Sequence, residues 1–323
     1  MKKIQLGTSP LHTSEIAFGC MNLGGSWDQE PPKKEIITKA TQAIEVALDQ
    51  GINLFDHADI YAFGKSEKVF SEAIKALAVK REDIILQSKC GIRMANTAFE
   101  GSAPFYDFSY EHIMTSVENI LTRLETDYLD VLLLHRPDAL FEGEEVARAF
   151  DVLKKQGKVQ NFGVSNFNSH QISLLQQYLD VPLITNQMEL SLVNSYLIDE
   201  GMNANNFTNE SSYRSLGTLE HCRAHQMTLQ AYSSLAGGCL GKTPLKEEHI
   251  SLKREISTLM AKYDVEEESI LMAWLLRHPA KIQPIIGTLN PERIKSCVKG
   301  TEITLTKEEW YRLYNSVPSR KLL

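Results

Sequence analysis

Short apolar runs of β type alternate with segments of helical periodicity along almost the whole chain, and this alternation restricts the fold more than any other feature. A strand, a helix of about a dozen residues and a second strand form the βαβ unit, which needs a parallel sheet. The strand candidates are Ile16–Gly19, Asn53–Asp56, Ile84–Lys89, Tyr128–Leu134, Asn161–Ser165, Leu183–Gln187, Thr228–Tyr232 and Ile282–Gly287. Between them the spacing predicts helices over Lys33–Gln50, Ser66–Ala78, Tyr110–Leu124, Glu144–Gln156, Ser169–Tyr178, Ser215–His225 and Ser251–His278. At the N-terminus KIQLG and EIAFG flank Thr-Ser-Pro turn chemistry. They predict a small β-hairpin whose second run leads into the first strand.

Eight such strands either close into a barrel or stay open as a doubly wound sheet. An open dinucleotide-binding sheet should carry G-x-G-x-x-G after its first strand, and neither Gly24-Gly25 nor Gly237-Gly238 has that spacing. The expected fold is a single parallel (β/α)8 TIM barrel with an N-terminal β-hairpin, one domain over residues 1–323. Two stretches, Gly91–Ser109 and Met188–Arg214, are long loops after strands three and six. Loops at that end of a barrel decide substrate specificity. They are expected to cover the pocket.

Composition narrows the partners. The formal net charge is -7 and no Lys/Arg run is interleaved with aromatics, which argues against a nucleic-acid partner. Lys2 and Lys3 resemble a secretory n-region, but Gln5, Ser9, His12 and Glu15 break up the apolar run that a signal peptide needs next. No segment approaches the roughly 18 apolar residues of a membrane span. Five scattered cysteines, Cys20, Cys90, Cys222, Cys239 and Cys297, have no metal-ligand spacing and suggest a reducing cytoplasm.

Catalytic groups in a parallel barrel come from the C-terminal ends of its strands. There the sequence places Asp56 and, after HADIY, Tyr61; Lys89; His135; Ser165 and Asn166; Asn186 and Gln187; and Tyr232, Ser233 and Ser234. Charged side chains ending apolar runs are costly unless paired. Asp56 and Lys89 alone could form a structural ion pair.

The blocks FDHADIYAFGKSE, ILQSK, DYLDVLLLHRPD, FGVSNF and ITNQMELS resemble, in order, the signature segments of the aldo-keto reductase superfamily. The HRPD form is closest to bacterial oxidoreductases of its potassium-channel-β-subunit-like branch. The resemblance implies a catalytic tetrad of Asp56, Tyr61, Lys89 and His135, NADPH as cofactor with NADH also open, and a small carbonyl substrate. A hydride added to a carbonyl leaves an alkoxide, so an acid must protonate the oxygen. An unperturbed phenol has a pKa of about 10, and an adjacent lysinium eases loss of its proton. Lys89 would supply that charge, Asp56 would hold Lys89, and His135 would hydrogen-bond the substrate oxygen.

The resemblance also implies that Ser165, Asn166 and Gln187 hydrogen-bond the nicotinamide carboxamide and that Tyr232 stacks on its ring. SSLAGG, with Ser233, Ser234 and Leu235, resembles the loop around the pyrophosphate. IIGTLNPERIKSC resembles the adenosine-phosphate segment, giving Gly287, Thr288 and Arg293. The family often has Glu-Asn where Ser296-Cys297 stand, so Arg293, Lys295 and Lys242 are the cations left to meet a 2′-phosphate. Met21, Trp27 and Phe63 are expected to line the substrate pocket. Arg136 and Asp138 are expected to form a local ion pair. Cys90 is either redox-sensitive, through Lys89, or a buried inert thiol. No metal site is expected, since His57 has no H-x-x-x-H or Cys partner.

Two other functions remain to be weighed. For a cofactor-sensing regulatory subunit on the same fold, a channel-blocking partner would need an N-terminal extension, whereas this sequence starts almost at the hairpin and carries all four tetrad residues. A barrel hydrolase would need two strand-end carboxylates roughly 5–10 Å apart, and only Asp56 qualifies clearly. A monomer or weak homo-oligomer is expected.

Overall fold

The structure is a computed structural model that describes residues 1–202, 215–241 and 247–317. Eight parallel strands form a closed barrel: Ala17–Gly19, Leu54–Asp56, Ile85–Cys90, Leu129–Leu134, Val159–Ser165, Leu183–Glu189, Thr228–Tyr232 and Gln283–Ile286. The last strand pairs with the first, Ile285 opposite Ala17 and Ile286 opposite Phe18, and this pairing closes the ring. The fold is thus the expected (β/α)8 barrel and not the open doubly wound sheet.

Alternation along each strand sorts the side chains. Phe18, Phe55, Leu86, Leu132 and Phe162 pack in the large core shared with the helices. Ala17, Leu54, Ile85, Val131, Leu133 and Ile285 form a second, smaller cluster. Leu6 joins that cluster from the N-terminal hairpin, Lys3–Gln5 against His12–Ser14. The hairpin is tied down by Asn53, whose Oδ1 accepts from the Ser14 amide at 2.6 Å. Gly7 turns it with φ +57, and a Cβ there would lie 2.2 Å from the Ile184 carbonyl oxygen. No other residue fits.

Most predicted helices stand within a few residues of their expected ends; Tyr110–Leu124 matches at both, with Ser109 accepting from the His112 amide as its N-cap. The segment Ser251–His278 is not one helix. It splits into Ile250–Tyr263 and Glu267–Leu276, because Asp264 takes the left-handed conformation (φ 53, ψ 57) that ends the first. Helices Pro291–Lys299 and Lys307–Asn315 follow the barrel, capped by Asn290 and Thr306. Here the rings of Trp274 and Trp310 stack 4.9 Å apart, and each indole N–H donates to the other residue's carbonyl. The Gly91–Ser109 loop folds back on itself as a ribbon, Ile92–Arg93 against Phe105–Tyr106, held by the 2.6 Å Arg93–Asp107 ion pair. Within the second long loop Tyr196–Met202 is helical. Among the described residues no helix is long and apolar enough to cross a membrane.

Candidate active site

Asp56 and Lys89 close neighbouring strands and both point into the barrel mouth. Lys89 is 0% exposed, so its ammonium must find every partner inside the protein. It does: Nζ donates to Asp56 Oδ2 at 2.7 Å, to the His57 carbonyl at 2.8 Å and to Tyr61 Oη at 3.0 Å. Tyr61 reaches this position from a tight turn in which Ala62 and Phe63 both have positive φ. The Tyr61 and His135 rings meet edge to face at 6.0 Å.

These groups perturb one another's protonation. Burial pulls the Lys89 ammonium down, but Asp56 and Tyr61 beside it more than offset this, and its pKa rises above the ordinary lysine value. Burial pushes the Tyr61 phenol up, with Lys89 opposing, and the net direction is upward. At neutral pH the phenol therefore carries its proton and the lysine its charge. Burial, with Lys89 and then Arg136, drives His135 well below the usual histidine value and keeps it neutral. Behind the Tyr61 turn, burial and Glu67 raise Asp59 to about 7. Glu67, raised by burial to about 6, accepts from Arg123 Nε at 2.5 Å and from the Ser88 hydroxyl.

A cavity of about 630 Å³ opens over this cluster and runs from Met21, Trp27 and Tyr61 to Gly237, Thr288 and Arg293. It brings together Asp56, Tyr61, His135, Ser165, Asn166, Gln187, Tyr232, Ser233, Ser234, Leu235, Gly287, Thr288 and Arg293. Tyr232 Oη donates to Asn166 Oδ1 at 2.9 Å, while Asn166 Nδ2 donates to the His135 carbonyl and to Ser165 Oγ. Asn166 thus links strands four, five and seven at the cavity wall.

A model of the Aldo/keto reductase family matches residues 15–317 of this sequence. The chain belongs to the aldo/keto reductase family. Members are NAD(P)H-dependent oxidoreductases, and carbonyl reduction is the chemistry this membership carries. Oxidoreductase YdhF of Escherichia coli is 38% identical over 275 residues, 84% of each chain. A 6-dehydroglucose reductase of Agrobacterium fabrum is 35% identical over 316 residues, 97% of each chain. The thermostable aldo-keto reductase Tm1743, solved with the inhibitor epalrestat, matches with a TM-score of 0.77 at 25% identity, covering 98% of this chain and 100% of that one.

Some expected aldo/keto reductase positions fall elsewhere. Phe63 does not line the cavity; the left-handed turn carries its ring against Trp27, edge-on at 6.1 Å. Asp138 is not paired with Arg136 but accepts from the Phe108 and Leu140 amides. Arg136 itself lines the cavity. Arg293 lies in the wall with Nε on Glu268 at 2.6 Å, whereas Lys295 pairs with Glu292 beside a separate cleft. Lys242 lies outside the described residues. Cys90 is the inert thiol: burial, then Asp59 and Asp107, push it well above the ordinary range. Sequence reasoning missed Ile60, Ile92 and Arg136 on the cavity wall, and three buried glutamines beneath it, Gln87, Gln230 and Gln283. A polar residue inside an apolar run, as in ILQSK and TLQAY, was the available signal for the first two of these glutamines.

Proposed function

We propose that this chain reduces an aldehyde or ketone to the alcohol with NADPH, Tyr61 giving the proton. The observation that carries the reading is the Lys89 ammonium shared between Asp56 and the Tyr61 hydroxyl at the floor of the cavity. The cavity suits a dinucleotide: amide and hydroxyl groups at one end match a carboxamide, and the small residues Ser234, Gly237 and Gly238 give close approach for phosphates. Bound there, reduced nicotinamide supplies the hydride to the carbonyl carbon.

The side chains do the rest. Neutral His135 hydrogen-bonds and polarises the carbonyl oxygen. As negative charge grows on that oxygen, Tyr61 Oη releases its proton to it, giving the alcohol. The phenolate left behind sits 3.0 Å from the ammonium, which stabilises it until a proton returns from water. Asp56 holds Lys89 charged and in place. Arg293 favours NADPH, because its bond to Glu268 engages only Nε and leaves the guanidinium's outer edge for a 2′-phosphate. Arg136, in the cavity wall beside Tyr232, would meet an oxygen-rich substrate. Two relatives named 6-dehydroglucose reductase, 35% and 30% identical to this chain, support a polyhydroxylated aldehyde as the first class to try.

The test is to titrate the protein with NADPH and NADH and then follow cofactor oxidation with sugar-derived aldehydes, ketones and diketones. Tight NADPH binding with no turnover on any carbonyl would favour the regulatory role instead.

A further inference from the structure

Four glutamines run through the interior of the barrel from the N-terminal hairpin to the catalytic carboxylate. Gln87, Gln230 and Gln283 are 0% exposed and Gln187 is 2% exposed, so water satisfies none of their amides. Gln283 Nε2 donates to Thr13 Oγ1 at 2.9 Å and to the Ser14 carbonyl at 2.7 Å. Gln230 Nε2 donates to Gln283 Oε1 at 2.9 Å and Gln87 Oε1 at 3.1 Å. Gln87 Nε2 donates to Asp56 Oδ1 at 2.6 Å and Gln230 Oε1 at 2.9 Å. Gln187 Nε2 donates to the same two oxygens, at 3.0 and 3.3 Å.

An amide can in principle be turned end for end, and only its network decides which end is which. Here both ends of the chain are groups that can only accept, the Ser14 carbonyl and the Asp56 carboxylate. Every one of the eight amide hydrogens then has an acceptor, and reversing any one glutamine would set oxygen against oxygen. The last link matters most. Both Gln187 hydrogens are spent inward, so only its Oε1 is left to face the cavity.

We infer that Gln230 is a positioning residue: its amide oxygen holds both Gln87 and Gln187 so that the site presents a hydrogen-bond acceptor, never a donor, at the Gln187 position. The inference rests on the proposed nicotinamide site and adds a directional filter to it. A ring substituent with an N–H is accepted there, and one that offers only a carbonyl is penalised. The hairpin, through Thr13 and Ser14, fixes the far end of the same chain.

The test is a binding measurement, independent of turnover. Dissociation constants are measured by fluorescence for NADP+, for its 3-acetylpyridine analogue, which lacks the amide N–H, and for its thionicotinamide analogue, which keeps it. Thermal melts are recorded alongside. In the parent the acetylpyridine analogue should bind about tenfold more weakly than NADP+ and the thionicotinamide within about threefold. In Gln230→Met the acetylpyridine penalty should fall to about twofold, because Gln187 has lost an acceptor. Gln87→Met also removes a buried amide but leaves both Gln187 acceptors in place, so its penalty should stay near the parent's even though it too melts earlier. If Gln230→Met does not fold, Gln230→Leu, of similar volume, removes the same Gln187 acceptor and should give the same fall in the penalty. Loss of the penalty in step with melting temperature across all variants would overturn the inference, as would no change in any of them. A parent that binds none of the three dinucleotides would instead sink the proposed cofactor site, and this inference with it.

Discussion

Replacing Lys89 by Met and Tyr61 by Phe should damage turnover alike and stability very differently. Lys89→Met strips the countercharge from Asp56, which is 2% exposed. Breaking a buried ion pair by removing one partner costs about 3–5 kcal/mol. Two amide donors, Gln87 and Gln187, still hold Asp56 Oδ1, so the lower end applies. At about 2 °C per kcal/mol for a chain of this size, the melting temperature should fall by about 6 °C. Tyr61→Phe removes one hydrogen-bond acceptor from an ammonium that keeps two others, at a cost of about 1 kcal/mol and about 2 °C. Both variants should lose roughly 10²–10⁴ in the rate of carbonyl reduction, one for want of the acid and the other for want of the charge that eases its release. Circular-dichroism melts and absorbance of reduced cofactor give the two readings. Equal melting of the two variants would refute the energetics. A Tyr61→Phe variant that keeps most of the parent's rate would refute the assignment of the acid, leaving His135 as the candidate.

Arg293→Ala should erase most of a preference for NADPH over NADH of about tenfold, or 1.4 kcal/mol, and equal affinities in the parent would dismiss the preference itself. Arg136→Met should raise KM for a polyhydroxylated aldehyde by about tenfold while leaving kcat nearly unchanged; a simple aromatic aldehyde, lacking groups to meet the guanidinium, is the control. Asp59 gives a pH signature. Its pKa is raised from 3.8 to about 7, so the folded state holds a proton that the unfolded state has released, and stability falls as pH rises across that window. Asp59→Asn removes this dependence. Its melting temperature relative to the parent should climb between about pH 4 and pH 7 and then level off; parallel profiles would contradict the shift.

What the sequence made legible was chemistry that breaks a pattern at a strand end. Lys89 and Asp56 stand where apolar runs stop, and the barrel brings them within 2.7 Å because their strands are neighbours in register. The glutamines were harder to read. Gln87, Gln230 and Gln283 lie within their runs, and their meaning depends on partners as far as 270 residues away, as Gln283 and Thr13 are. The helix break at Asp264 had no glycine or proline to mark it, and Asp takes the left-handed region with little penalty. Phe63 was placed by distance from Tyr61 along the chain, which cannot foresee that two successive positive φ angles turn its ring out toward Trp27. Arg136 looked like half of an ion pair two residues long, whereas Asp138 was needed for the amides of Phe108 and Leu140.

The distribution of tryptophan gives the molecule a built-in optical probe. Of its three indoles, Trp274 and Trp310 are locked face to face and buried between the outer helices, neither of them in the wall of the active-site cavity. Trp27 stands alone at the cavity rim, 47% exposed. Emission from the stacked pair should therefore be a blue-shifted, constant background, while Trp27 emits to the red and responds to whatever enters the mouth. Dihydronicotinamide absorbs where indoles emit, so energy transfer should quench Trp27 more strongly than the pair. Trp27→Phe should silence most of that quench without altering the background, and the parent's emission would then time the arrival and departure of ligand without an added label.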